Sequence, residues 1–129
     1  MATMTAKTTA VAPTELLQRG CGAFNAGDFY RAHELWEDAW KQLTGRDRLA
    51  IQGLIQIAAG LHHVQGHRVR PAAALLGKGL EKLARNTEGT RVELLGDLPI
   101  AQFARDVARF LERLKTAGAT PPDPATLRL

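Results

Sequence analysis

The chain has a single cysteine, Cys21. That excludes an intramolecular disulfide and any zinc site built from several thiolates. Aromatic residues make up only 5% of the sequence and β-branched residues are sparse, while Ala, Leu and Arg are abundant, a balance that disfavours strands and favours helices. No two-residue alternation is sustained and no Asn-Gly type hairpin turn occurs; no repeat recurs at a fixed period. A membrane-spanning run is missing too. The most apolar stretch, from Ile51 to Val64, is short and is broken by Gln52, Gln56, His62 and His63. The opening MATMTAKTTAVAP lacks the apolar core of a signal peptide. Gly20–Gly22 and Gly77–Gly79 lie inside helical patterns and follow no strand, so neither reads as a phosphate-cradling loop. These absences set the expectation of a cytoplasmic protein.

What is present is one domain's worth of chain, 129 residues, patterned as five helices. The first is expected from Thr14, as N-cap, to Gly27. The second runs from Asp28 to near Gly45, the third from Asp47 to Gly66. The fourth has Pro71 in its first turn and ends near Asn86; the fifth opens at Asp97-Leu98-Pro99 and ends near Gly118. A loop around Glu88–Gly96 has room for one short helical turn. Residues 1–13 and the Pro-rich 119–129 read as loose tails around a helical domain of residues 14–118. On the fifth helix Phe103, Val107, Phe110, Leu111 and Leu114 share one face. On the fourth, Leu76, Leu80 and Leu83 face inward, and Ala73, Gly77 and Ala84 form a stripe that a neighbouring helix can approach. The third helix is apolar on two sides, with a narrow stripe of Gln52, Gln56, Ala59 and His63 between them, so it belongs at the centre of an all-α bundle.

The net charge of +4 is a small excess that solubility alone explains. The stripes Lys78/Lys82/Arg85 and Arg105/Arg109/Arg113 are diluted by Glu81, Asp106 and Glu112 and carry no interleaved aromatics, which reads as solvated helix faces and against nucleic acid. Leu35, apolar on the polar face of the second helix, hints at a contact with a protein partner or a second copy of the chain. Cys21 has no basic partner nearby in sequence and reads as a small apolar filler.

The chemistry-bearing face lies on the second helix. Phe29, Trp36, Trp40 and Leu43 make its inward stripe, flanked by Ala32 and Ala39; His33 falls inside that stripe and Glu37 on its edge, one turn away. A short connection makes the second and third helices antiparallel neighbours, which points the His33/Glu37 edge at Gln52, Gln56 and His63. Two imidazoles, a carboxylate and two amides can serve a divalent transition metal, with His33, Glu37 and His63 as ligands. The same groups can equally satisfy one another by hydrogen bonds. His62 and His63 point about 100° apart, so His63 is the candidate and His62 reads as a packed core residue. Trp36 and Trp40 border the site, either as core anchors or as ligand contacts. HxxxE lacks the second helical histidine of the HExxH motif, which argues against a zinc peptidase.

The stretch FNAGDFYRAHELWEDAW, followed by RLAIQGLIQIAAGLHHVQG and then PAAALLGKGLEKL, resembles the small bacterial and archaeal family catalogued as domain of unknown function 309. Its HxxxExxW signature is matched by His33, Glu37 and Trp40, and its GLIQ block by Gly53–Gln56, with His63 following. The resemblance covers roughly residues 14–85. It implies a compact helical fold and a motif suspected of metal binding, and no reaction. Members often carry Gly or Asn near the turn that is His67–Arg70 here.

Two readings therefore stand side by side. One is a non-catalytic scaffold or partner-binding module with a buried network of His33, Glu37, Gln56 and His63. The other is a metal- or small-ligand-binding protein, extending to a metal-assisted hydrolase, that uses His33, Glu37 and His63.

Overall fold

The computed structural model describes residues 11–87, 93–96 and 98–129. Five helices follow one another: α1 Pro13–Asn25, α2 Phe29–Trp40, α3 Gly45–Gln65, α4 Val69–Thr87 and α5 Ile100–Thr116. Single 3-10 turns stand at Glu93–Leu95, within the loop where a short turn is expected, and at Pro124–Thr126. Among the described residues there is no strand. Residues 1–10, most of the expected N-terminal tail, and Asp97, the expected start of the fifth helix, lie outside the described residues.

Local chemistry sets the helix ends. α1 begins a residue before the expected cap: Pro13 takes the first helical position, and the N-cap is Ala12, not Thr14. The fixed φ of proline suits that place, where no N–H is needed. At its other end the N–H of Gly27 bonds to the Phe24 carbonyl and that of Asp28 to Ala23, both at 2.9 Å, with Gly27 at φ 83°. This is the Schellman closure, which requires a left-handed residue. Asp28 then caps α2, its carboxylate accepting the Arg31 N–H at 3.1 Å. α2 ends at Trp40, before the expected Gly45, and α3 takes up the chain at Gly45 itself, whose φ is 64°.

α3 is the central helix. Ala50, Ile51, Leu54, Ile57, Ala58 and Leu61 are fully buried along it, between α2 on one side and α4 on the other. The close approach of α3 and α4 is made by glycines, but not by the expected stripe. Gly77 faces open space and Ala84 is exposed. Instead Gly79 meets Gly53: a Cβ on Gly79 would fall 2.7 Å from both the Gly53 carbonyl oxygen and Ile57 Cγ1. Gly60 fits against Leu76 and the Ala72 carbonyl in the same way. Leu76 and Leu83, one helical face with Ala72 and Gly79, turn inward and are fully buried, and Leu80 packs partly buried against the core.

The aromatic residues close the bundle. Phe24 of α1 packs edge-on against Phe29 at 4.9 Å and against Phe103 of α5 at 5.4 Å, and it stacks on Trp36 at 5.8 Å. Leu35 is not a contact surface. It is 5% exposed in a small cluster with Leu16, Ala39 and Val11, covered by α1. The C-terminal segment also departs from the expected loose tail. Pro124 and Leu127 are buried, Leu129 packs on the core, Arg128 Nη1 donates to the Asn25 carbonyl at 2.9 Å, and the Leu129 N–H donates to Asn25 Oδ1 at 2.7 Å. Two apolar side chains and three prolines, with little backbone entropy to lose, favour ordering it.

The candidate site on the seam between α2 and α3

α2 and α3 run antiparallel, so the exposed edge of α2 reads against α3 in reverse. At one end Tyr30 and His33, one turn apart, meet His62 and His63. With Ala59 these side chains line a depression of about 180 Å³. The Tyr30 and His33 rings lie nearly parallel with centroids 6.0 Å apart, and Tyr30 sits 5.3 Å from the His62 ring, which in turn lies 6.4 Å from His63. Tyr30 remains 53% exposed, the most open large hydrophobic residue among those described.

His33 Nε2 lies 3.7 Å from Glu37 Oε2, an ion-pair distance beyond a hydrogen bond. Its Nδ1 is cut off from solvent and has no hydrogen-bond partner. His63 is held differently. Arg68 Nε donates to His63 Nδ1 at 2.8 Å, so the ring accepts there and carries its proton on Nε2. Partial burial, followed by the nearby charges of Arg68 and His62, pulls the His63 pKa below its ordinary value.

The turn behind these residues explains how Arg68 reaches back. α3 closes as α1 does, with the His67 N–H on the Val64 carbonyl and the Arg68 N–H on the His63 carbonyl, both at 2.9 Å. Here the left-handed position is His67, at φ 60°, where the resemblance leads one to expect Gly or Asn. The absence of a side chain at Gly66 leaves room for the Arg68 guanidinium, which would lie 2.4 Å from a Cβ at that position.

At the other end of the seam the Arg48 guanidinium lies 3.8 Å above the Trp40 ring centroid, a cation–π contact. Trp40 Nε1 is buried without a partner. Gln52 is half-buried on the α3 face that also carries Arg48 and Ala59.

The remaining expected members are placed elsewhere. Trp36 is fully buried, its Nε1 donating to the Leu17 carbonyl at 3.1 Å, and is a core anchor. Gln56 faces α4 and accepts from Lys82 Nζ at 2.9 Å. The expected single network of His33, Glu37, Gln56 and His63 is therefore three separate pairs: His33 with Glu37, Gln56 with Lys82, His63 with Arg68. His62 is a wall of the depression and not a core residue. The metal set does not fit this arrangement. Arg68 occupies one nitrogen of His63, and no group of three His, Cys, Asp or Glu side chains able to hold a metal ion exists among the described residues.

Tyr30, Arg48 and Arg68 escape the sequence reading, which places Ala59 on the stripe of the third helix and His62 in the core. Tyr30 carried the clearest signal, an aromatic residue three positions before His33 and so on the same helical face. Arg68 carried none, because its partner is reached through a turn whose left-handed residue is here a histidine.

Residues 17–75 match the family described as domain of unknown function (DUF309), and to that extent the chain is similar to its members. A relative from Aquifex aeolicus (strain VF5), described as an uncharacterized protein, is 32% identical over 85 residues. The match covers 65% of this chain and 26% of the relative, so the chain spans about a quarter of that protein's length. No solved structure matches. No helix among the described residues is long and apolar enough to cross a membrane.

Proposed function

We propose that this protein is a non-catalytic binding module whose site is the depression between α2 and α3. The observation that carries the reading is His33. A polar nitrogen with neither water nor a protein partner costs about 1–3 kcal/mol, and His33, a residue lining the depression, carries such an atom in Nδ1, shut off from solvent in this conformation. A group bound there gives it a partner once the imidazole turns to face the depression. The neighbouring rings of Tyr30, His62 and His63 supply flat contact surface and further polar atoms around it. The chain's one thiol does not join them. Cys21 is buried in α1, and burial pushes its pKa up to about 11, far from a working nucleophile.

The test is a screen of small uncharged fragments against the labelled protein, reading the imidazole signals of His33, His62 and His63. Fragments that move these signals saturably in the native protein are expected to lose the effect in Ala59→Leu, which fills the depression and keeps every imidazole. If no small molecule, charged or uncharged, moves them, or if Ala59→Leu responds like the native protein, the site is elsewhere.

A further inference from the structure

The donor chemistry around the depression is one-sided. His63 accepts from Arg68 at Nδ1, so the hydrogen-bonding atom it has left is the Nε2–H donor. Tyr30, which lines the depression, carries a hydroxyl able to donate, and a neutral His62 always has one N–H. Arg68 adds a fixed positive charge directly behind His63. No carboxylate lines the depression. Glu37 approaches His33 from one turn further along α2, while Glu34 is paired with Arg31 at 3.6 Å.

The sequence around the site shows the same bias. Between Asp47 and Glu81 there is no acidic residue, yet this span contains Arg48, Arg68, Arg70, Lys78 and three of the four histidines. Of these, Arg68 and Arg70 lie at the α3–α4 corner that follows His62 and His63, with no acidic residue of the span to offset them.

Resting on the binding reading above, we propose that the depression takes a small anionic group, a carboxylate or a phosphate, hydrogen-bonded by Tyr30, His62 and His63 and attracted by Arg68. At about 180 Å³ it is smaller than the roughly 300–1,000 Å³ pockets that enclose whole ligands, so it fits the charged head of a larger molecule. Arg68 acts as a positioning residue: its bond to Nδ1 fixes the His63 tautomer that donates. A cation is disfavoured by the same features, since the His63 lone pair at Nδ1 is engaged and a guanidinium stands next to it.

Inorganic phosphate and acetate, titrated separately at constant ionic strength, test this through the imidazole signals and by calorimetry. Saturable binding of either is expected, and which one binds tells phosphate from carboxylate. Arg68→Gln should weaken it about tenfold, and Tyr30→Phe several-fold, as loss of a charge-assisted contact does. Lys78→Gln, an exposed charge in the same acid-free span, should leave it unchanged. Equal losses in Arg68→Gln and Lys78→Gln would mean diffuse attraction and overturn the site. If neither anion perturbs the imidazoles while uncharged fragments do, the anion fails and the binding module stands; silence from both classes removes both.

Discussion

The indole of Trp36 lies directly across the backbone of Gly20. A Cβ placed there would fall 2.1 Å from Nε1, the atom that donates to the Leu17 carbonyl. A glycine in the middle of α1 is a weak helix former, and this contact is its compensation: α1 presses onto the largest core side chain because residue 20 has no side chain.

Gly20→Ala should therefore destabilise the fold despite its better helix propensity. Overpacking and the loss of a buried hydrogen bond together predict about 3 kcal/mol. Chemical denaturation, together with a shift in tryptophan emission, measures it. A stability equal to or above that of the native protein would show that Trp36 can move aside at no cost.

The α3–α4 contact makes a paired prediction. Gly79→Ala pushes into the Gly53 carbonyl and Ile57 and should cost about 2 kcal/mol. Gly77→Ala, two residues away, meets nothing and should add about 0.5–1 kcal/mol through helix propensity. Opposite signs in the two melting curves are the required outcome.

His67 stands where the equivalent turn after α1 has Gly27. A left-handed residue bearing a Cβ costs roughly 1–2 kcal/mol, offset in part by the entropy that glycine brings to the unfolded chain. His67→Gly is expected to stabilise by about 0.5–1 kcal/mol, read from the denaturation midpoint. Gly27→Ala should destabilise by about as much.

His63 links stability to pH. Its folded-state pKa is lowered by partial burial, Arg68 and His62, so the unfolded chain binds this proton more readily. The contribution is fully present above the unfolded value near 6.5 and is lost as pH falls through the folded value. In the native protein stability should decline on acidification below about 6.5. In His63→Gln that part of the decline should flatten; an identical profile would mean that the Arg68 pairing does not persist in solution.

Much of the architecture was legible because α3 and α5 write their burial as helical periodicity: Phe103, Val107, Phe110 and Leu114 are buried as their spacing requires. The choice between Gly77 and Gly79 was not, since both lie near the apolar face and only the crossing geometry of two helices selects one. Leu35 failed for a related reason. A residue's face is defined by its own helix, but its exposure depends on whether another helix, here α1, covers it. At the site, His33, Glu37 and Trp40 were visible as a motif. Their partners were not, because angular position on α3 says that Gln56 and His63 are near neighbours without saying that one turns to Lys82 and the other to Arg68.

The hold of Arg128 and Leu129 on Asn25 joins positions more than a hundred residues apart in sequence, and that separation has a kinetic consequence. Such a contact closes a loop of more than a hundred residues, so it forms only after the helices between have assembled. Its two hydrogen bonds are exposed or only part-buried, so it is the part expected to open first. In native-state hydrogen exchange the Leu129 amide should trade its proton through a small local opening, while the amides of α3 wait for global unfolding. The segment around Arg128 and Leu129 then works as a late-closing clasp that reports completion of the bundle without having to hold it together.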